Sequence, residues 1–278
     1  MQRKSAVSSL LVKHAARAAI AVSMLLGCSA LAAERVPADA GAKTRYGDHE
    51  LFTRGPYTAF MDPYNRGKFV AGVDFSQSFE VDPAQFPNGT RLKWDWPVRE
   101  PKNVLGFLQV GGFGDYFNTV PKVPVPPRRV NEIDVLAASH KLQHSGTENG
   151  YDVIYDWFLT ATPHGGDTHL FEVEVFVHTP QYSMKYFRRS IPIGRFESAG
   201  VTWNVAIDRK TSPPDILFVP ADGKDLSEAS IDLKAMHSYL VSQKILTGNE
   251  YYNGHSLGVE PAQGSGSLFV ESVRVEYK

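Results

Sequence analysis

From about Tyr57 to its end the chain consists of short runs in which apolar and polar residues alternate, each closed by Gly, Pro, Asn or Asp. Val70 to Val81, Leu92 to Trp96, Val104 to Val110, Tyr151 to Thr160, Leu170 to Val177, Val201 to Ile207, Ile216 to Val219 and Leu268 to Val275 are such runs. A period of two sends successive side chains to opposite faces of a strand. Many short strands separated by turn residues predict an all-β sandwich or barrel, and Pro87-Asn88-Gly89-Thr90 supplies a turn signal. One stretch breaks the rhythm. Between Ser227 and Leu246 the residues Ile231, Leu233, Met236, Leu240, Val241 and Ile245 recur at helical spacing, with Asp232 in the first turn and Gly248 as terminator. A lone amphipathic helix in an all-β chain packs on the outside of a sheet, so Met236 and His237 are expected to serve packing.

The chain opens with basic residues (Arg3, Lys4, Lys13, Arg17), an apolar run from Ala18 to Leu26 and then small residues, the order of an export signal. The run is too short for a membrane span. Cutting before Ala33 would release a secreted protein, extracellular or periplasmic, whereas Leu25-Leu26-Gly27-Cys28 resembles a lipobox and offers lipid anchoring through Cys28 as the alternative. The expected organisation is a signal peptide at 1–32, a linker or arm at 33–54 and one domain at 55–278. Cys28 is the only cysteine, so the exported chain forms no internal disulfide and relies on burial for stability.

A net charge of −1 argues against nucleic acid, which needs a clustered cationic excess. Arg128-Arg129 and Arg188-Arg189 read as solvated faces. The nine histidines lack the paired spacing of a metal site, and neither a phosphate-cradling glycine loop nor a nucleophile elbow is present. No cofactor or metal is expected, and the protein is expected to be a monomer.

The chemistry rests on acidic residues. In Phe171-Glu172-Val173-Glu174-Val175-Phe176-Val177, the valines point one way and Glu172, Glu174 and Phe176 the other; that second face is either a polar exterior or the wall of a cleft. In Tyr151-Asp152-Val153-Ile154-Tyr155-Asp156-Trp157, Asp152 and Asp156 share a face, and pairing through the loop from Ala161 to Thr168 would bring Asp156 near Glu172. Glu260 lies in Gly258-Val259-Glu260-Pro261, ahead of Gly264-Ser265-Gly266, glycines that either let backbone approach a ligand or form a plain hairpin. Two carboxyls facing each other across a groove hydrolyse glycosidic bonds. Trp94 and Trp96 share a face and are the leading candidates for sugar platforms, although tryptophans in sandwiches often serve the core. Tyr251, Tyr252 and Asn253 could line a rim.

Taken in order, Trp94-Asp95-Trp96, Lys102-Asn103-Val104, Arg128-Arg129-Val130-Asn131, the Tyr151–Asp156 and Glu172–Phe176 strands, Gly200-Val201-Thr202-Trp203, the helix from Asp232 to Leu246, and Gly258-Val259-Glu260-Pro261 with Gly264-Ser265-Gly266 resemble the landmarks of glycoside hydrolase family 12. The resemblance implies a β-jelly roll of two curved antiparallel sheets with one helix on the convex side. It also implies retaining, endo-acting hydrolysis of β-1,4-glucans (cellulose, mixed-linkage glucan or xyloglucan). Glu172 would be the nucleophile, Glu260 the acid/base and Asp156 an auxiliary carboxyl, with Trp94, Trp96, Glu174 and Phe176 touching substrate. The family has Met and Trp where this chain has Glu174 and Phe176, so Glu174 adds a third carboxyl that raises the pKa of Glu172 or competes for its role. Leu105-Gly106-Phe107-Leu108 and His140-Lys141-Leu142-Gln143 also depart from the pattern. A glucan-binding jelly roll without turnover is the alternative reading.

Overall fold

The computed structural model of the protein describes residues 44–114, 125–164 and 168–278. The export signal, Cys28 and residues 33–43 of the arm lie outside the described residues. The first strands are β1 (Thr44–Tyr46), β2 (Leu51–Arg54), β3 (Tyr57–Asp62), β4 (Ser76–Val81), β5 (Thr90–Asp95) and β6 (Phe107–Gly114). Next come β7 (Arg128–Arg129), β8 (Leu136–Gly146), β9 (Tyr151–Thr160), β10 (His169–His178) and α1 (Gln181–Arg189). The chain continues through β11 (Ile191–Ser198), β12 (Val201–Asp208), β13 (Asp215–Pro220), β14 (Glu228–Asp232) and α2 (Leu233–Ser242). It closes with β15 (Tyr251–Tyr252), β16 (Gly254–Pro261) and β17 (Ser265–Tyr277).

These strands form the two sheets of a jelly roll. The smaller runs β1-β4-β5-β17-β8-β14; the larger runs β11-β12-β13-β10-β9-β16-β6-β3-β2, with β15 on β9 and β7 on β15. Pairing is antiparallel except between β10 and β13, which are parallel. Residues 44–54, expected in the arm, already contribute β1 and β2. β4 and β5 pair antiparallel across residues 82–89, where Gly89 takes φ +70.

The core lies between the sheets. Val173, Val175 and Val177 of β10, Tyr155 and Trp157 of β9, and Leu257 and Val259 of β16 are all fully buried there. Burying each such valine contributes about 1.5–3 kcal/mol. Because directly opposed strand residues share a face, the same alternation sends Glu172, Glu174, Asp152, Asp156 and Glu260 to the outer face of the larger sheet.

Three expectations change. Ser227 to Ile231 does not begin a helix: β14 occupies that stretch, and α2 starts only after Asp232, whose carboxylate caps the helix by accepting from the Ala235 amide at 2.8 Å. Its Met236, His237 and Leu240 are buried, and the Trp157 indole donates to His237 Nε2 at 3.1 Å, so α2 covers the core face of the larger sheet. Secondly, α1 is a further helix, and it sits on the cleft side. Thirdly, Trp94 and Trp96 are each 2% exposed. Trp94 packs on Tyr151 and Trp96 stacks on Phe75 with centroids 3.8 Å apart, so both belong to the core and neither is a sugar platform.

Candidate active site

A cleft of about 560 Å³ opens on the outer face of the larger sheet, bordered by β10, α1, residues 100–104 and Glu260. A second hollow of about 230 Å³ continues from it past Asp62, Phe107, Gln109, Asp156 and Phe158, and Tyr64, Glu172 and Glu260 border both. The floor is an array of carboxyls fixed by strand register. Glu174 stands opposite Asp156, Glu172 opposite Phe158, and Glu260 opposite Asp152. On the other flank of β10, Glu172 stands beside Asp215 of β13.

Counted along β9, Glu174 is four residues from the level of Glu260 and Glu172 is six. Each two-residue step is about 6.6–6.8 Å, so Glu174 starts closer to Glu260. Burial, then the charge of Glu260, pushes the Glu174 carboxyl well above the ordinary range. Burial, then Asp152, Asp156 and Glu172, does the same to Glu260, which accepts a hydrogen bond on Oε1 from the Tyr64 hydroxyl at 3.1 Å. Glu172 has a different partner: burial and a shared hydrogen bond with Asp215 push it to about 8. The Tyr186 hydroxyl in turn donates to Asp215.

Helix α1 supplies the donors. Ser183 Oγ donates to Asp152 Oδ2 at 2.7 Å, and the Tyr182 hydroxyl lies 3.0 Å from that oxygen and 3.2 Å from the Glu260 carbonyl. These donors partly offset the burial of Asp152, whose pKa is raised to about 6. Tyr182, Ser183 and Tyr186 were not anticipated as site residues. Their signal was present in the i, i+1, i+4 spacing after Pro180 and in Arg188-Arg189 at a helix end.

Of the expected site residues, the cleft gathers Glu172, Glu174, Asp156 and Glu260; Phe176 borders it but is only 1% exposed and so offers a sugar no open ring face, and Trp94 and Trp96 lie outside it. Asp156 faces Glu174 rather than Glu172. The rim expectation fails for Tyr252 and Asn253, both buried, with Tyr252 bonded to His255 and Asn253 to Thr160. The glycines near Glu260 serve packing: a Cβ on Gly258 would come within 2.5 Å of the Leu108 carbonyl and the Phe107 ring, and one on Gly266 within 2.2 Å of the Trp94 indole.

The molecule is thus a jelly roll with a carboxyl-floored cleft on the outer face of its larger sheet. Solved structures with this fold include endoglucanase 3 of Trichoderma harzianum, from glycoside hydrolase family 12, with a TM-score of 0.67 and 18% identity over 87% of this chain and 100% of that one. A family 12 xyloglucanase from Bacillus licheniformis gives 0.67 and 14% over 84% and 100%. By sequence the chain is similar to a probable xyloglucan-specific endo-beta-1,4-glucanase A of Aspergillus fumigatus, with 27% identity over 146 residues, 52% of this chain. The match spans 60% of that relative's length. No family model matches the chain.

Proposed function

We propose that the protein is a secreted, retaining, endo-acting glycoside hydrolase that cleaves β-1,4-glucosidic bonds, with Glu260 as acid/base and Glu174 as nucleophile. The observation that carries this reading is the placement of two half-buried carboxyls, Glu174 and Glu260, on the same face of the larger sheet and lining one cleft. The sequence relative named as a xyloglucan-specific glucanase supports a glucan substrate. Export rests on the basic, apolar and small-residue order of residues 1–32. Among the described residues no helix is long and apolar enough to cross a membrane.

Protonated Glu260 gives its proton to the glycosidic oxygen as Glu174 attacks the anomeric carbon, breaking the C–O bond and forming a glycosyl ester. Glu260 then takes a proton from water, which displaces Glu174 with the original configuration restored. Raised pKa values suit the acid, which must hold its proton near neutrality, while the nucleophile must lose its own. Asp156 opposite Glu174, kept protonated by burial and by the neighbouring carboxyls, donates a hydrogen bond to the Glu174 carboxylate as it ionises. Glu172, committed to Asp215, keeps its proton and limits the negative charge beside the nucleophile.

The test is reducing-sugar release from soluble cellulose, mixed-linkage glucan and xyloglucan, with the anomeric configuration of the first product read by NMR. Release of the retained anomer is expected. Binding without release by the native protein would favour the glucan-binding alternative, and an inverted product would remove the ester intermediate.

A further inference from the structure

A second constellation lies beyond the cleft. Alternation alone would place His178 of β10 on the cleft face with Glu174 and Phe176. A β-bulge between Phe176 and His178 instead sets His178 against Val153, a core-facing residue of β9. Bulges re-aim side chains in this way. The turned ring meets His144 of β8, in the other sheet, with centroids 4.7 Å apart, and both reach Asp225 on the 221–227 connection. His178 Nδ1 is 2.8 Å from Asp225 Oδ1, and His144 Nε2 is 3.4 Å from Asp225 Oδ2.

We propose that His144, His178 and Asp225 form a site for a divalent transition-metal ion, zinc foremost, that ties the two sheets and the 221–227 connection together. One nitrogen from each ring and one carboxylate oxygen lie within 4.8 Å of one another. Ligand atoms around a tetrahedral zinc with bonds near 2.0–2.1 Å stand roughly 3.3 Å apart. Each imidazole nitrogen already stands close to that distance from Asp225, His178 Nδ1 from Oδ1 and His144 Nε2 from Oδ2, and small side-chain rotations bring one oxygen and both nitrogens around a single ion.

The surroundings resemble those of a built site. The Tyr151 hydroxyl lies 2.9 Å from His144 Nδ1, which orients the ring and leaves Nε2 directed at Asp225. The segment carrying Asp225 is strapped to both sheets: the Leu226 amide donates to the Val177 carbonyl of β10 at 2.9 Å, and the Leu142 amide of β8 donates to the Ser227 carbonyl at 2.7 Å. His144 is mostly covered while Asp225 is about 41% exposed, so an ion has a path in and water a fourth position. Two imidazoles with one carboxylate favour zinc, copper or nickel over calcium or magnesium. Because 34 residues separate the histidines and a bulge turns one of them, no local spacing announces the site.

The experiment uses the full exported chain, without a histidine tag, stripped by chelator and titrated with zinc chloride by calorimetry. Thermal melts are recorded with and without zinc. One zinc per chain and a higher melting temperature are expected, with neither produced by calcium. Asp225→Asn and His178→Gln should each weaken binding at least about tenfold and abolish the thermal shift. Cobalt should give visible ligand-field absorption that His178→Gln loses. A native chain that takes up no zinc, or variants that bind it as the native chain does, would overturn the proposal. If His178→Gln fails to fold, Asp225→Asn, whose exposed side chain is not part of the core, decides.

Discussion

Glu174 stands directly opposite Asp156 across β10 and β9, and both carboxyls emerge on the cleft face. Glu172, one step away on the same strand, faces Phe158 and shares its proton with Asp215. The carboxyls of this wall thus divide between two partnerships. Glu174 belongs to the one that includes Glu260.

This division predicts a ranking. Glu174→Gln and Glu260→Gln should each lower glucan hydrolysis by about 10³-fold or more, because one removes the attacking oxygen and the other the proton donor. Glu172→Gln should keep activity within about tenfold, since a neutral amide can still bond Asp215. Initial rates on the best substrate check the order. Loss at Glu172 with retention at Glu174 would restore Glu172 as nucleophile.

A second prediction concerns pH. Burial raises Asp152 to about 6, so above that pH it is ionised, and its charge is the neighbouring charge that most raises Glu260. The alkaline limb of kcat/KM reports loss of the Glu260 proton. Asp152→Asn removes the neighbouring negative charge, which lowers the Glu260 pKa and moves that limb to lower pH by roughly one unit. The amide can still accept from Ser183, so the maximal rate should change little. An unmoved limb would detach Asp152 from the acid/base.

The pattern of the strands made the cleft face legible. Period two alone separates Val173 and Val175 from Glu172 and Glu174, and Asp156 from Trp157, and the structure keeps every one of those assignments. Period does not set register, though. Which glutamate meets Asp156 depends on where β10 enters its pairing with β9, and the register shift between His169 and Phe171 moves that pairing by one residue. Trp94 and Trp96 share a face as expected, but alternation does not say whether that face looks toward the core or the solvent; the surrounding strands of the smaller sheet decide it. Helix α1 was hidden by its brevity, because nine residues between two strands offer barely two turns of periodicity.

Burial of the tryptophans yields a third prediction. Trp94→Ala and Trp96→Ala should each cost about 3–5 kcal/mol of stability, through lost contacts and a cavity. KM should remain near the native value at temperatures where the variants are folded. Denaturant unfolding with parallel kinetics separates the effects. A raised KM with unchanged stability would return either ring to the cleft.

The last prediction links the acidic cluster to stability. Burial and the hydrogen bond with Asp215 raise Glu172 from 4.5 to about 8, so the folded protein holds a proton that the unfolded chain has released over the interval between those values. When the folded state binds more protons than the unfolded one, stability falls as pH rises. The contribution of Glu172 is therefore fully present below about pH 4.5 and is lost as pH approaches 8, with Asp152 adding the same sign between 3.8 and about 6. Mutual repulsion among carboxyls spreads these losses over the whole range. Glu172→Gln removes the titration while keeping shape and hydrogen bonding. It should flatten the pH dependence and stabilise the protein near pH 8 by on the order of 1–3 kcal/mol, after allowance for solvent at a cleft residue. Unfolding free energies of both proteins measured from pH 5 to pH 8, a span set by the linkage above, give the comparison directly. Parallel curves would mean that Glu172 ionises in the folded cleft as readily as in the unfolded chain, and the proton shared with Asp215 would then have to be abandoned.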